Sequence, residues 1–219
     1  MIITIDGPAG SGKSTVAEAL AKKLGFYHFN SGSLYRAITA HFISNNIFDP
    51  STPLFENQIL KCNIQIKFLK NIQHVFVNNI DYTKMLRSLQ VSELCPIFSV
   101  NTHVRNLIDK CQKEFCLKNN VVIDGRDIGS FVLPNAEFKF YLDCEIDERA
   151  KRRLNELKAN GEIVPFKEIK TKILARDEFD KNKEHAPLVI PKNATIIDST
   201  HLTIEQVVDQ MYQIIINKK

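Results

Sequence analysis

Two hydrophobic periods alternate along this 219-residue chain, and their order predicts its architecture. Ile2, Ile3 and Ile5 make a short β-prone run, after which Ala17, Leu20, Ala21 and Leu24 repeat at helical spacing until Gly25 stops the helix. Phe26 to Phe29 read as an aromatic-rich strand, and a helix opens at Ser31 and runs to about Ile43, where Asn45-Asn46 and Asp49-Pro50 break it. One or two helical turns follow between Thr52 and Leu60. Ile64, Ile66 and Phe68, then Val75 and Val77, alternate on either side of Asn71, which predicts a small hairpin. Helical patterns cover 87–95 and 103–118, with Pro96 between them. Val121-Val122-Ile123 is a continuous apolar run, as in a strand buried on both faces, whereas Phe138, Phe140 and Leu142 alternate up to Asp143. Asp147 starts a strongly charged helix that reaches Asn160-Gly161, and another runs from Pro165 to Asp180. Ala194 to Ile197 is the last strand. Thr203 and Gln206 form a capping box for a final helix whose Ile204, Val207, Val208, Met211 and Ile215 face the core.

Five core strands interleaved with helices predict an α/β fold with a parallel sheet covered on both sides. Residues 60–85 stand apart from that alternation, as an insertion with its own small sheet. Ligands of such parallel sheets bind at the carboxyl ends of the strands. The turns after Ile5, Ile123 and Leu142 all fall there, so the chemistry is sought in them.

The first of these turns is specific. Gly7-Pro8-Ala9-Gly10-Ser11-Gly12-Lys13-Ser14 has the spacing G-x-x-x-x-G-K-[ST] of a Walker A loop, between a strand and a helix as that motif requires. Glycines let the backbone wrap a phosphate with its N–H groups inward, and the helix adds the positive end of its dipole. Lys13 would reach the transferring phosphates, and the Ser14 hydroxyl would ligate the accompanying Mg²⁺. The second turn is Asp124-Gly125-Arg126-Asp127. A carboxylate closing a buried strand in such a protein is where a further Mg²⁺ ligand is expected, the alternative being a plain turn or cap residue. Arg126 beside it offers a fork to a phosphate. The third feature is basic: Arg149, Lys151, Arg152 and Arg153 on one helix and Arg176 on the next, with Arg149 and Arg153 four apart on a shared face. Composition alone would make that helix a solvated surface.

In that order these segments resemble the bacterial cytidylate kinases, a family of P-loop nucleoside monophosphate kinases. The resemblance runs nearly end to end, through Ile5 to Ser14, Ser31-Gly32-Ser33-Leu34-Tyr35-Arg36, Val104-Arg105, Ile123 to Gly129, Glu148 to Arg153, Arg176-Asp177, Asp180 and Ala186-Pro187-Leu188. It implies a kinase core at 1–30, 100–148 and 185–219, a monophosphate-binding insertion at about 31–99 and a short lid at about 149–184. It implies that the loop of Gly7, Pro8, Ala9, Gly10, Ser11, Gly12, Lys13, Ser14 and Thr15 holds ATP, with Mg²⁺ on Ser14 and Asp124. Arg36 and Arg126 would grip the CMP phosphate, Arg105 and Asp127 would read the cytosine edge, and Ser31, Arg176 and Asp180 would meet the ribose. Arg149 and Arg153 look like lid arginines. With Lys13, Arg126 and Asp127 they would complete the catalytic set, and no general base beyond Asp127 or Asp124 would be required, since the attacking phosphate oxygen is already ionised. The chain departs from the family pattern at three places. Asn30 stands for an aspartate. Pro96 stands for a serine whose hydroxyl meets cytosine, so that Ser92 or Ser99 takes its place or base recognition is thinner. Lys183 stands for a third phosphate-binding arginine, which turns a forked contact into a point contact.

The resulting expectation is transfer of the ATP γ-phosphoryl group to CMP or dCMP. The alternatives are another nucleoside monophosphate kinase of UMP/CMP type, or a regulatory ATPase without a small acceptor. The latter accounts for the Walker loop but not for Ser31 to Arg36. Composition narrows the remaining classes. With 44% hydrophobic and 25% charged residues the chain is neither disordered nor fibrous. A net charge of +4 suits phosphorylated ligands if clustered, but the basic residues do not interleave with exposed aromatics, so nucleic-acid binding is not expected. Five cysteines (Cys62, Cys95, Cys111, Cys116, Cys144) lack metal or disulfide spacing, and no apolar run approaches the roughly 18 residues that cross a bilayer. The expectation is a soluble cytoplasmic monomer.

Overall fold

The computed structural model describes residues 1–159 and 161–217, so the expected end of the charged helix at Asn160 lies outside the described residues. In chain order the elements are β1 (Ile2–Asp6), α1 (Lys13–Leu24), β2 (Tyr27–Asn30), α2 (Ser31–Ser44), α3 (Pro53–Ile59), β3 (Ile64–Leu69), β4 (Ile72–Val77) and β5 (Ile80–Asp81). They continue with α4 (Leu89–Ser99), α5 (Thr102–Lys118), β6 (Val121–Asp124), β7 (Phe138–Asp143), α6 (Ile146–Ala159), α7 (Phe166–Asn182), β8 (Thr195–Asp198) and α8 (Ile204–Asn217). Single helical turns stand at Thr83–Met85 and, in π form, at Ile128–Val132. A five-stranded sheet has the order β2-β6-β1-β7-β8, and a three-stranded one the order β3-β4-β5. The expected α/β class with five core strands is the fold observed. The chain divides into two compact units, one of Met1–Phe26 with Asn120–Lys219 and one of Tyr27–Asn119.

In the first unit β1 pairs in parallel with β6 and β7, and β7 with β8. Its core packs Val16, Ala17, Leu20 and Ala21 of α1 and Val207, Val208, Met211 and Ile215 of α8 against Ile3, Ile5, Val122, Phe140 and Leu142 of the strands. Thr203 and Gln206 cap α8 reciprocally, Thr203 N–H donating to Gln206 Oε1 (2.8 Å) and Gln206 N–H to Thr203 Oγ1 (3.2 Å). Ile204, placed in the core by the sequence, is instead 49% exposed. It opens the helix, and periodicity gives the apolar face but not where along the axis packing begins.

The second unit is built on α2, whose Leu34, Ala37, Ile38, Ala40 and Phe42 are wholly buried. Phe42, Phe55 and Phe98 pack with centroids 4.4–6.0 Å apart, Phe42 stacked on Phe98 and Phe55 edge-on to Phe98. The expected hairpin is present, and its turn residues Lys70 and Asn71 both have positive φ (52° and 64°), the requirement of a tight I′ turn. A second such turn at Asn78 and Asn79 adds β5, which two residues of pattern could not announce. The sequence places a break at Pro96, but Pro96 lies inside α4. Proline there removes one backbone bond and costs about 3 kcal/mol. Burial of Val91 and Phe98, each contributing about 1.5–3 kcal/mol, offsets that cost and carries the helix through.

Candidate active site

The phosphate loop hangs from the end of β1. Gly7 is there less for the ligand than for its neighbour: a Cβ would lie 2.2 Å from the Leu142 carbonyl oxygen of β7. Gly12 precedes α1 with φ 88° and brings no capping side chain, so the first-turn N–H groups of α1 and its dipole face the loop. Lys13 is buried at the start of that helix, and its Nζ donates to Pro8 O (2.5 Å) and Ser11 Oγ (3.3 Å). Burial, and then the nearby Arg126 charge, hold its ammonium well below the usual lysine range, with Asp124, Asp6 and Asp180 opposing. Ser14 Oγ donates to Asp124 Oδ2 at 2.6 Å, and Thr15 follows on the exposed side of α1. Hydroxyl and buried carboxylate together are a hard, all-oxygen donor pair of the kind a small divalent cation shares with phosphate oxygens.

β6 lies beside β1 with Ile5 opposite Asp124, so the second informative turn leaves the sheet next to the phosphate loop. Gly125 N–H donates to Ile5 O (3.1 Å). Beyond Arg126 and Asp127 the chain turns back, and the N–H groups of Ile128 and Gly129 donate to the two oxygens of Asp6, at 2.9 and 2.7 Å. Burial pushes the Asp6 carboxyl up to about 6 against the pull of those two N–H groups, and the charge of Asp127 adds to the rise. Arg126 Nε pairs with Asp180 (3.0 Å), which also takes Arg176 Nε (3.1 Å) and has Lys183 Nζ at 3.8 Å. Asp180 is 1% exposed; burial alone would raise its pKa, but Arg126, Arg176 and Lys183 together hold it below the usual carboxylate value. Four residues expected to contact the acceptor are thus one ion-pair cluster.

The basic helix α6 divides by face. Arg149 is buried; it forms an ion pair with Asp177 of α7 and donates to Cys144 O and Ala9 O, both at 2.9 Å. Asp177 in turn accepts from Ala9 N–H (2.9 Å), so one residue of the phosphate loop is held at both its carbonyl and its N–H. Arg152 donates to Ser199 O (2.6 Å) and Ser11 O (3.4 Å). Arg153, paired with Arg149 in the sequence pattern, points elsewhere: its side chain is 52% exposed and meets Glu156 at 2.9 Å.

Ser31, Arg36 and Arg105 belong to the second unit. Ser31 is buried at the first turn of α2, whose cap is Asn30, accepting from Ser33 N–H at 2.8 Å. Gln73 of β4 grips the same turn, taking Asn30 N–H (2.7 Å) and donating to Ser33 Oγ (2.9 Å). Arg36 donates to Ser92 Oγ (2.9 Å) and Leu86 O (3.1 Å), and Arg105 is buried over the Tyr35 ring. Ser99 Oγ donates to Pro96 O (2.8 Å). The sequence assigned no role of their own to Asp6 or Gln73, and it placed Arg152 only within the basic run and Asp177 only within the Arg176-Asp177 segment. The acid just before Gly7 was the one readable signal for Asp6; the contacts of Asp177 with Arg149, Arg152 with Ser199 and Gln73 with Ser33 span 28 or more residues, which no local pattern records.

The cytidylate kinase family model matches residues 3–217. Among similar chains, the cytidylate kinase of Carboxydothermus hydrogenoformans is 42% identical over 215 residues, covering 98% of this chain and 97% of that one. The cytidylate kinase of Caldanaerobacter subterraneus subsp. tengcongensis is 40% identical, covering 97% and 93%. A crystal structure of an uncharacterized Eubacterium ventriosum protein shares the fold at TM-score 0.53, with 14% identity over 98% of both chains. A phosphate loop and an Asp-Gly-Arg-Asp turn on adjacent parallel strands, with similarity of this extent, establish that the chain belongs to the cytidylate kinase family.

Proposed function

We propose that this chain transfers the γ-phosphoryl group of ATP to CMP and dCMP, giving ADP and CDP or dCDP, as membership of the cytidylate kinase family over residues 3–217 supports. The geometric observation that carries the reading is the register of Ile5 with Asp124, which sets the loop for the donor beside the turn for the acceptor. On this reading Lys13 and the N–H groups of residues 7–15 hold the ATP phosphates, and Ser14 with Asp124 holds Mg²⁺, which would supply charge neutralisation between donor and acceptor. Arg126 and Arg36 bind the acceptor phosphate, Asp127 and Arg105 its base, and Ser31, Arg176 and Asp180 its sugar, with Lys183 near the phosphate. Arg149 fixes the loop through Ala9, and Arg153 is the exposed lid arginine free to approach the transferring group. Residues 31–99 form the monophosphate-binding part and 149–184 the lid. Among the described residues no helix is long and apolar enough to cross a membrane, which fits a cytoplasmic enzyme.

A coupled assay of ADP formation with CMP, dCMP, UMP and AMP tests this. CMP and dCMP are expected to turn over, and an enzyme that ignores both while accepting UMP or AMP belongs to a different specificity. Sites that hydrogen-bond a base can reject mismatched analogues by factors of about 10⁴–10⁵, so the panel discriminates sharply.

A further inference from the structure

We propose that Asp6 is a positioning residue for acceptor binding: from the end of β1 its carboxylate fixes the turn that carries Arg126 and Asp127, and so sets the acceptor relative to the phosphate loop. The inference rests on the assignment of those two residues to CMP. Asp6 is completely buried, and its two oxygens each take one backbone N–H, from Ile128 and Gly129. On the other side of the turn Gly125 is tied to Ile5 O. Arg126 and Asp127 are therefore strung between attachments to two consecutive residues of β1, and Gly7 follows immediately.

The chemistry explains why this residue is a carboxylate. Two N–H donors converging on one side chain need two acceptor atoms and no donor. Aspartate alone among short side chains has both; asparagine turns an NH₂ toward one of the donors. Burying the charge is unfavourable, as its raised pKa records, so a residue needed only to fill space would be apolar. Close approach is required too. A Cβ on Gly129 would lie 2.6 Å from Thr4 Oγ1 and 3.1 Å from Asp6 Oδ2, so only glycine lets that N–H reach the carboxylate.

Steady-state kinetics of Asp6→Asn test the proposal. The KM for CMP is expected to rise about tenfold or more, from one lost contact and one donor facing a donor, while the KM for ATP changes less than about threefold. Gly129→Ala reaches the same turn sterically and should give the same CMP-selective rise; it decides alone if Asp6→Asn does not fold. A purely structural residue would move both KM values and the melting temperature together. An active wild type whose two variants keep the KM for CMP within about twofold, or raise both KM values equally, overturns the inference alone. A wild type that neither turns over nor binds CMP in calorimetry overturns the proposed function and the inference with it.

Discussion

Arg149 offers the sharpest quantitative test, because its surroundings fix what its loss must cost. Arg149→Ala leaves the Asp177 carboxylate, 8% exposed at the side chain, without its ion-pair partner and still accepting from the Ala9 N–H. Stranding one partner of a buried ion pair costs about 3–5 kcal/mol. The carbonyls of Cys144 and Ala9 lose a charged donor as well, adding about 1 kcal/mol each where water does not replace it. Against a total stability of about 5–15 kcal/mol this is a large fraction. Urea unfolding followed by circular dichroism at pH 7 measures it, for wild type, Arg149→Ala, Asp177→Ala and the double variant. The double variant should be less destabilised than the sum of the singles by about 2 kcal/mol or more, since it leaves no buried charge without its partner. Arg153→Ala is the control: an exposed pair with Glu156 should leave stability within about 0.5 kcal/mol. If Arg149→Ala cost under 1 kcal/mol, or the two singles added to within about 0.5 kcal/mol, the α6–α7 clamp on Ala9 would be no clamp.

Asp124→Asn should raise the Mg²⁺ concentration for half-maximal activity about tenfold or more, because the group orienting the Ser14 hydroxyl loses its charge; an unchanged Mg²⁺ titration would remove Asp124 from the metal site. Asp6 also predicts a pH dependence. Its folded pKa of about 6 lies above the 3.8 of an ordinary aspartate, so the stability it contributes is present below pH 3.8 and lost as pH rises through 6. Relative to Asp6→Asn, wild type should therefore lose about 2 kcal/mol between pH 4.5 and pH 7 in urea titrations, and a constant difference would mean that the carboxyl is not perturbed.

Much of this protein is written locally. Strand and helix periods, the glycine spacing of the loop, the capping box of α8 and the paired Lys70-Asn71 turn are short-range choices, each settled by a few neighbouring residues. They sufficed for the α/β class, the five core strands and the family. What periodicity could not give was consequence at a distance. Pro96 reads as a helix breaker until the buried aromatic cluster outweighs it, and Ile204 reads as core until packing begins a turn later. Arg149 and Arg153 share a helical face on paper, yet one is buried in an ion pair and the other lies in solvent. Asp6 is one acidic letter before a glycine; only the return of Ile128 and Gly129, more than 120 residues later, gives its two oxygens something to hold. Sequence determines which segments form and which atoms are on offer, because propensity and hydrophobic period act over a few residues. Tertiary structure decides which atoms meet, because burial and hydrogen-bond satisfaction are settled between segments far apart in the chain.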